Sequence, residues 1–469
     1  MEATIGTPSA SASPERKAAF VDGIDDFVET AERFGITFAR AADYPDYYPE
    51  LPGGKIGRGI EVKPLDSKIL GTWWDSLLGA IPIPAKTDDV WLLGRAWSTP
   101  GGFVRGAKFV FRALGGVVTG KRLTGIGAAW STAFGKTLMV DNNVPLWLES
   151  PLVDLIVEQD GVVGVRIMRD GKEVSVGARR GVMLAGGGFE SNPSLREKYQ
   201  GVHGSPSGNP GNVGVPIQVA EKHGAALELM DDAWWGASVQ AVPGGTPAFI
   251  VGERSMPFSI MVDKQGNRFA NESESYVDLG HHMLALDGGE GPYWLILDAR
   301  HQHRYLRMFA MDPRANKAMK ELGIAVKAKT LAELGSKIGV DSTAFRTTTE
   351  RFNGYARSGV DADFGRGNSA YDRYYADPTQ RPNPCLGTIE HGPFLAYKVV
   401  LGDLGTKGGI VTDTEARALR SDGTVIEGLY AAGNNSASVM GHTYPGPGST
   451  IAPAAVFGVR AARHMARNR

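Results

Sequence analysis

Two apolar runs in this chain each end in glycine, and that repeated pattern constrains the fold most. Val182-Met183-Leu184-Ala185 runs into Gly186-Gly187-Gly188, and Gly428-Leu429-Tyr430-Ala431-Ala432 runs into Gly433-Asn434. A short apolar run bounded by turn residues reads as a strand covered on both faces. In open α/β sheets, ligands sit beyond the carboxyl ends of such strands. Glycines there leave backbone stripped of side chains, so a flat or phosphorylated group can come within hydrogen-bond range. Gly446-Pro447-Gly448 then precedes a helical pattern over 452–466, with Ala455, Val456, Val459 and Ala462 on one face. The N-terminus of that helix points free N–H groups and a positive dipole end at electron-rich atoms. One glycine turn is ordinary punctuation between strand and helix. Two, with Gly-Pro-Gly following, predict an α/β fold with a cofactor crevice. Glycine usage agrees: 62 of 469 residues, against about 7% in average chains.

The remaining pattern is mixed. Phe20, Ile24, Phe27, Val28 and Ala31 recur at helical spacing within 15–34. Strands are expected at 152–157, 162–168 and 173–178, joined by Gln159-Asp160-Gly161 and Arg169-Asp170-Gly171 turns. Helices are expected at 314–322 and 329–337. In residues 103–122, Arg105, Lys108 and Arg112 share one helical face, while Phe103, Val104, Val110, Phe111 and Leu114 cover much of the rest. The plain expectation is a surface helix with solvated charges. The sharper one is a helix lying on a membrane surface.

Several classes are excluded. Lys plus Arg is 50 and Asp plus Glu 51, so no net field recruits nucleic acid. A single cysteine, Cys385, rules out an internal disulfide framework or a zinc site of several thiolates, and suggests a reduced, cytoplasmic setting. Phe134-Gly135-Lys136-Thr137 imitates the end of a P-loop, but Trp130 stands where its first glycine must be. The paired histidines 281–282 and 301/303 lack metal-binding helical spacing, so no metal is expected. The first residues carry no signal-peptide pattern, and no uncharged apolar run of about 18 residues occurs.

The segment Gly428–Phe457, GLYAAGNNSASVMGHTYPGPGSTIAPAAVF, resembles the C-terminal flavin segment of 3-ketosteroid Δ1-dehydrogenases. These belong to the fumarate-reductase-like flavoprotein superfamily. Leu401–Val411, Gly266–Tyr276, Met183–Gly188 and Tyr44–Tyr48 resemble further family signatures, in family order. The resemblance implies FAD as cofactor and a steroid or similar cyclic ketone as substrate. It also implies an electron acceptor, a quinone or another. It assigns catalysis to Tyr47, Tyr276, Tyr444 and Gly448. It places the cofactor against Ala185, Gly186, Gly187, Gly188, Gly433, Asn434, Ser438, Ser449 and Thr450. The chemistry is coherent on its own terms. A phenol and a backbone N–H, from Tyr444 and Gly448, stabilise an enolate at the ketone oxygen. Tyr276 takes the C2 proton as phenolate, its pKa of about 10 lowered by a hydrogen bond from Tyr47. A flavin accepts hydride from C1.

The chain departs from the family pattern at its start. The family opens with a strand, a Gly-x-Gly-x-x-Gly turn and a helix, with a ribose-binding acid about 20 residues on. No such turn follows any strand here. The expected architecture is an N-terminally incomplete, discontinuous FAD-binding domain over 1–237 and 407–469. A mixed α/β catalytic domain, 238–406, is inserted between. On this reading the chain begins at an internal methionine and holds the ADP half of FAD weakly. Two alternatives stand beside steroid dehydrogenation. One is a fumarate-reductase-like enzyme, which needs Arg and His clamps for two carboxylates, whereas the motif at 266–276 ends in tyrosine. The other is a non-catalytic remnant or partner subunit without its own flavin.

Overall fold

The structure is a computed structural model and describes all residues except 7–8, 78–81, 203, 243 and 468–469. The first long helix, α1, spans Pro14–Arg33. Ser13 caps it by accepting from the Arg16 N–H, and Pro14 sits in the first turn, where no N–H is needed. Helix α2, Thr87–Leu93, carries Asp88 and Asp89 in its first turn, and α3 follows at Pro100–Val118.

Helix α3 lies at the surface with Lys108 exposed, as expected, but its two arginines are not left to solvent. Arg112 Nη1 donates to Asp89 at 2.6 Å and to the Pro84 carbonyl at 2.7 Å, and Arg105 donates to Asp43 at 3.1 Å. With these cations drawn onto neighbouring acids, the apolar residues turn to solvent. Phe111 is 73% and Val118 85% exposed, and Phe103, Val104, Leu114 and Val117 are exposed beside them.

Strands β1 (Leu152–Glu158), β2 (Gly161–Arg169) and β3 (Lys172–Gly177) form an antiparallel meander. Gln159 and Asp160, then Asp170 and Gly171, have positive φ, the geometry that tight hairpin turns require. The next strand, β4, is Val182–Leu184. A seven-stranded sheet follows, built on β5 (Ala233–Val239), β6 (Ser259–Val262), β7 (Tyr293–Leu297) and the long β8 (Phe394–Thr406). β8 pairs antiparallel with both β5 and β7. All of β5 is buried, and helix α4, Tyr276–Asp287, lies against it. The two helices expected near 314–322 and 329–337 form at Pro313–Glu321 and Leu331–Ile338.

The chain then returns to β4. Strands β9 (Arg417–Leu419) and β10 (Val425–Ala431) pair antiparallel, and β10 pairs parallel with β4, setting Leu184 opposite Ala431. The two glycine ends predicted from sequence therefore emerge side by side. The last helix, α5, spans Ile451–Arg467 and packs on α1. Phe20, Phe27 and Ala31 share a core there with Val456, Phe457 and Ala461.

Gly280 sets how closely α4 lies on β5. A Cβ there would sit 2.3 Å from Trp235 Cβ and 2.9 Å from the Gly236 nitrogen. Backbone cannot give way as a side-chain tip can. Gly280→Ala is therefore expected to destabilise by about 1–3 kcal/mol through overpacking, despite the ~1 kcal/mol helix-propensity gain of alanine. Chemical denaturation with equal m-values measures this, and unchanged or raised stability would remove Gly280 as the spacer.

Candidate active site

Tyrosines from distant parts of the chain meet in one buried cluster. Tyr47 stands on the loop after the first helix, Tyr276 begins α4, and Tyr444 lies between β10 and α5. The Tyr47 hydroxyl donates to Tyr276 Oη at 3.3 Å. The rings of Tyr47 and Tyr444 stack 4.8 Å apart at 11°, and Tyr276 meets Tyr444 at 5.1 Å. Tyr44, Tyr371, Tyr374, Tyr375, Trp234 and Phe249 complete the aromatic wall. The sequence reading did not single out Tyr371, Tyr374 and Tyr375. Their spacing places Tyr371 one helical turn from the other two, a usable signal, but nothing local ties that turn to Tyr47.

Each catalytic candidate is fixed by its own local structure. The Tyr47 N–H donates to the Pro445 carbonyl at 3.0 Å, joining the Tyr47 loop to the Tyr444 loop. Asp46 holds that corner by accepting from Lys55 N at 2.8 Å and Arg58 Nε at 2.9 Å. The loop before Tyr276 is held by buried ions. Glu272 accepts from Arg268 Nη2 at 2.7 Å and Arg366 Nη1 at 3.2 Å, and Arg254 Nη2 donates to the Glu274 carbonyl at 2.9 Å. Asp232 joins the two sides. It accepts from Lys407 Nζ at 2.8 Å, from His281 on α4 at 2.9 Å, and from His442, two residues before Tyr444, at 3.0 Å. Asp232 and Lys407 were not foreseen as site residues, because only the tertiary fold brings 232, 281, 407 and 442 together.

The electrostatics correct one expectation. Tyr47 does pull the Tyr276 phenol down, but burial and the neighbouring Tyr444 outweigh it and push the pKa well above the ordinary value of 10.0. Burial likewise raises Tyr47 and Tyr444.

The cofactor candidates divide into two groups. Gly433, Asn434, Ser438, Ser449 and Thr450 line one pocket, with Trp234 and Arg16. Gly433 and Gly448 have φ of 68° and 91°, and a Cβ at Gly448 would meet nothing within 4 Å, so its backbone faces open space. The buried Asn435 side chain has neither its nitrogen nor its oxygen partnered among the described residues. These unpartnered polar atoms and the polar residues lining the pocket offer hydrogen bonds to a polar group at this place. Ala185–Gly188 do not line this pocket. A Cβ at Gly187 would sit 2.3 Å from Asn212 Oδ1, and one at Gly188 would sit 2.1 Å from Thr406 Oγ1. Those two glycines thus have a packing reason, while Ala185 and Gly186 are exposed.

A parallel strand pair ending in glycine, with a polar pocket at the start of a helix beside it, is the arrangement of a cofactor-binding α/β fold, here an FAD-dependent one. The family described as FAD binding domain matches residues 2–451. The 3-oxosteroid 1-dehydrogenase of Mycolicibacterium smegmatis is 48% identical over 446 residues, which is 90% of this chain and 78% of that protein. That of Mycobacterium tuberculosis is 44% identical, over 97% of this chain and 84% of its relative. Among solved structures, 3-ketosteroid delta1-dehydrogenase from Sterolibacterium denitrificans, in complex with 1,4-androstadiene-3,17-dione, superposes with a TM-score of 0.91. It is 35% identical and covers 98% of this chain and 87% of that one. The chain belongs to the FAD-binding family and, within it, to the family of 3-oxosteroid 1-dehydrogenases.

Asp232 generates a prediction on stability. Burial works against its charge, but Lys407, His281 and His442 hold the carboxyl well below the usual range. A depressed carboxylate pKa contributes stability above the unfolded value, about 3.9, and loses it as pH falls further. Asp232→Asn leaves Lys407 buried without its counter-charge and is expected to cost about 3–5 kcal/mol at neutral pH. The difference from the parent should shrink as pH is lowered below about 4. Urea titrations at neutral and acid pH measure both effects, and a pH-independent difference would contradict the pairing.

Proposed function

We propose that this chain introduces a C1–C2 double bond into 3-ketosteroids. The convergence of Tyr47, Tyr276 and Tyr444 beside the Gly433–Gly448 cradle carries this reading, together with relatives named for that reaction. Tyr444 and the Gly448 N–H polarise the C3 ketone, so that charge developing on its oxygen meets fixed donors. Tyr276 removes the acidified C2 proton, and Tyr47 donates to its oxygen and steadies the phenolate. The apolar and aromatic walls hold the steroid skeleton and exclude water. FAD would be held beside Gly433, Asn434, Ser438, Ser449 and Thr450 and would supply the two-electron acceptor for the C1 hydride, with a quinone or another external acceptor restoring it. Residues 1–237 with 407–469 form the flavin-binding part, and 238–406 the inserted catalytic part. No clamp of paired Arg and His residues faces Tyr276 among its described contacts, so dicarboxylate reduction has no support.

With FAD supplied, turnover of a saturated 3-ketosteroid with an artificial acceptor tests the reading. Tyr276→Phe should lower kcat by about 10²–10⁴-fold. Tyr444→Phe should lower it by about 10²–10³-fold, with a smaller effect on KM. Because burial raises the Tyr276 pKa, the parent's chemical step should quicken as pH rises above neutrality, and Tyr276→Phe should abolish that rise. Normal turnover by Tyr276→Phe would refute the base assignment.

We further propose a cytoplasmic enzyme that rests peripherally on lipid through residues 103–122. The support is the outward apolar face of α3, flanked by the exposed Lys108 and Lys121. Among the described residues, no helix is long and apolar enough to cross a membrane. Co-sedimentation with anionic vesicles should be weakened at least several-fold by Phe111→Asp with Val118→Asp, and equal binding by parent and variant would exclude this face.

A further inference from the structure

Tyr276 acts as a base in the reading above, yet the fold places its oxygen where a phenolate is costly. The residue is 5% exposed, and burial with the neighbouring Tyr444 pushes its pKa well above 10.0. Each unit of pKa above the working pH lowers the phenolate fraction about tenfold. A nearby cation would offset that loss. Among the described residues, no Lys, Arg or His is hydrogen-bonded to the Tyr276 oxygen; the hydroxyl of Tyr47 donates to it instead.

Tyr47 is not the end of this arrangement. Its hydroxyl lies 3.4 Å from Tyr44 Oη, and Tyr44 Oη is in turn hydrogen-bonded to Tyr375 Oη. Four phenol oxygens thus form one chain, drawn from the loop after α1, from α4 and from the short helix Ala370–Tyr375. The adjacent Tyr374 stands outside it, because its hydroxyl donates to Asp88 at 2.7 Å. Burial raises Tyr44 to about 12, and Tyr47 and Tyr375 well above 10.0, so all three keep their protons at neutral pH. A phenol has one O–H to give, free to rotate, and lone pairs to receive. The donors can therefore all point one way, from Tyr375 to Tyr44, to Tyr47 and to Tyr276. Both remote members are fixed through their backbone. The Tyr44 carbonyl accepts from the Gly57 N–H at 2.8 Å. Arg95 Nη1 donates to the carbonyls of Tyr374, at 3.2 Å, and of Ala376, on either side of Tyr375.

We propose that Tyr44 and Tyr375 are positioning residues for the base, acting through Tyr47 as a donor chain that stabilises the Tyr276 phenolate. This rests on the reading of Tyr276 as the base. A hydroxyl that itself receives a hydrogen bond is the stronger donor, and such chains strengthen one another where the dielectric is low. The phenolate charge is shared along the chain, and no buried cation is needed. In the reaction the C2 proton passes to the Tyr276 oxygen, and the phenolate becomes a phenol. The C2–H electron pair moves toward the ketone as enolate, then forms the C1=C2 bond when the hydride leaves C1. The protons of Tyr47, Tyr44 and Tyr375 stay where they are.

Phenylalanine at each position removes one oxygen and keeps the ring, so turnover of the full chain with FAD supplied tests the chain link by link. Tyr44→Phe should lower kcat about 3–10-fold, near the worth of one buried hydrogen bond, and Tyr375→Phe about 2–5-fold, with KM nearly unchanged in both. A 3-ketosteroid deuterated at C2 should show a larger isotope effect with either variant, because proton removal has become slower. The decisive comparison uses Tyr47→Phe as background. There the chain is already cut, so adding Tyr44→Phe or Tyr375→Phe should change kcat no further, whereas a packing role would slow it again. Thermal unfolding monitors folding, and if Tyr44→Phe does not fold, Tyr375→Phe alone and combined with Tyr47→Phe decides. Parental kcat and isotope effect in either folded variant, or equal losses in the Tyr47→Phe background, would overturn the proposal. If Tyr276→Phe is slowed in the same series, the base reading survives that outcome. Parental turnover by Tyr276→Phe would instead remove the base reading, and this inference with it.

Discussion

The site depends first on the parallel pairing of β4 with β10. Leu184 opposite Ala431 brings together strands separated by more than half the chain, and both strands end on the same side. Parallel neighbours cannot be joined by a short turn, so a long connection must lie between them. Here that connection holds the seven-stranded sheet, α4 and Tyr276. Gly433 after β10 lines the pocket, whereas Gly187 and Gly188 after β4 are used to pack closely on Asn212 and Thr406. The same sequence signal thus serves two different physical ends.

The phenol side is built on a different kind of force. Tyr276 stands at the start of a helix, where an isolated loop would be mobile. Arg254, Arg268 and Arg366 gather on Glu272 and on the carbonyls around it and make that loop rigid. Such buried ions are weak contributors to net stability, but leaving any one unpaired is costly, so they specify one geometry. Asp232 does the same between α4 and the Tyr444 loop. Catalytic geometry must hold to a fraction of an ångström, and these clusters supply it where loops alone cannot.

Charge follows from burial. The phenols share an apolar enclosure that disfavours phenolate, which keeps Tyr276 protonated in the resting protein. The pocket lined by Trp234, Gly433 and Thr450 next to them has the opposite bias, since the buried Arg16 lines it together with the first turn of α5.

Much of this was legible in the sequence for local reasons. Apolar strands that end in glycine, the hairpin turns at 159–160 and 170–171, and the amphipathic helices α1 and α5 are set by spacing and by residues that tolerate positive φ. The motifs around Tyr47, Tyr276 and Tyr444 marked the catalytic candidates. The fold alone decided the rest. The inversion of α3 depends on Asp43 and Asp89, which no helical periodicity within 103–122 can reveal. The direction of the Tyr276 pKa likewise reflects how many groups surround it rather than its one donor. Local sequence determines conformation through short-range sterics and periodicity. Only tertiary packing decides which charges lose their water and which partners they then find.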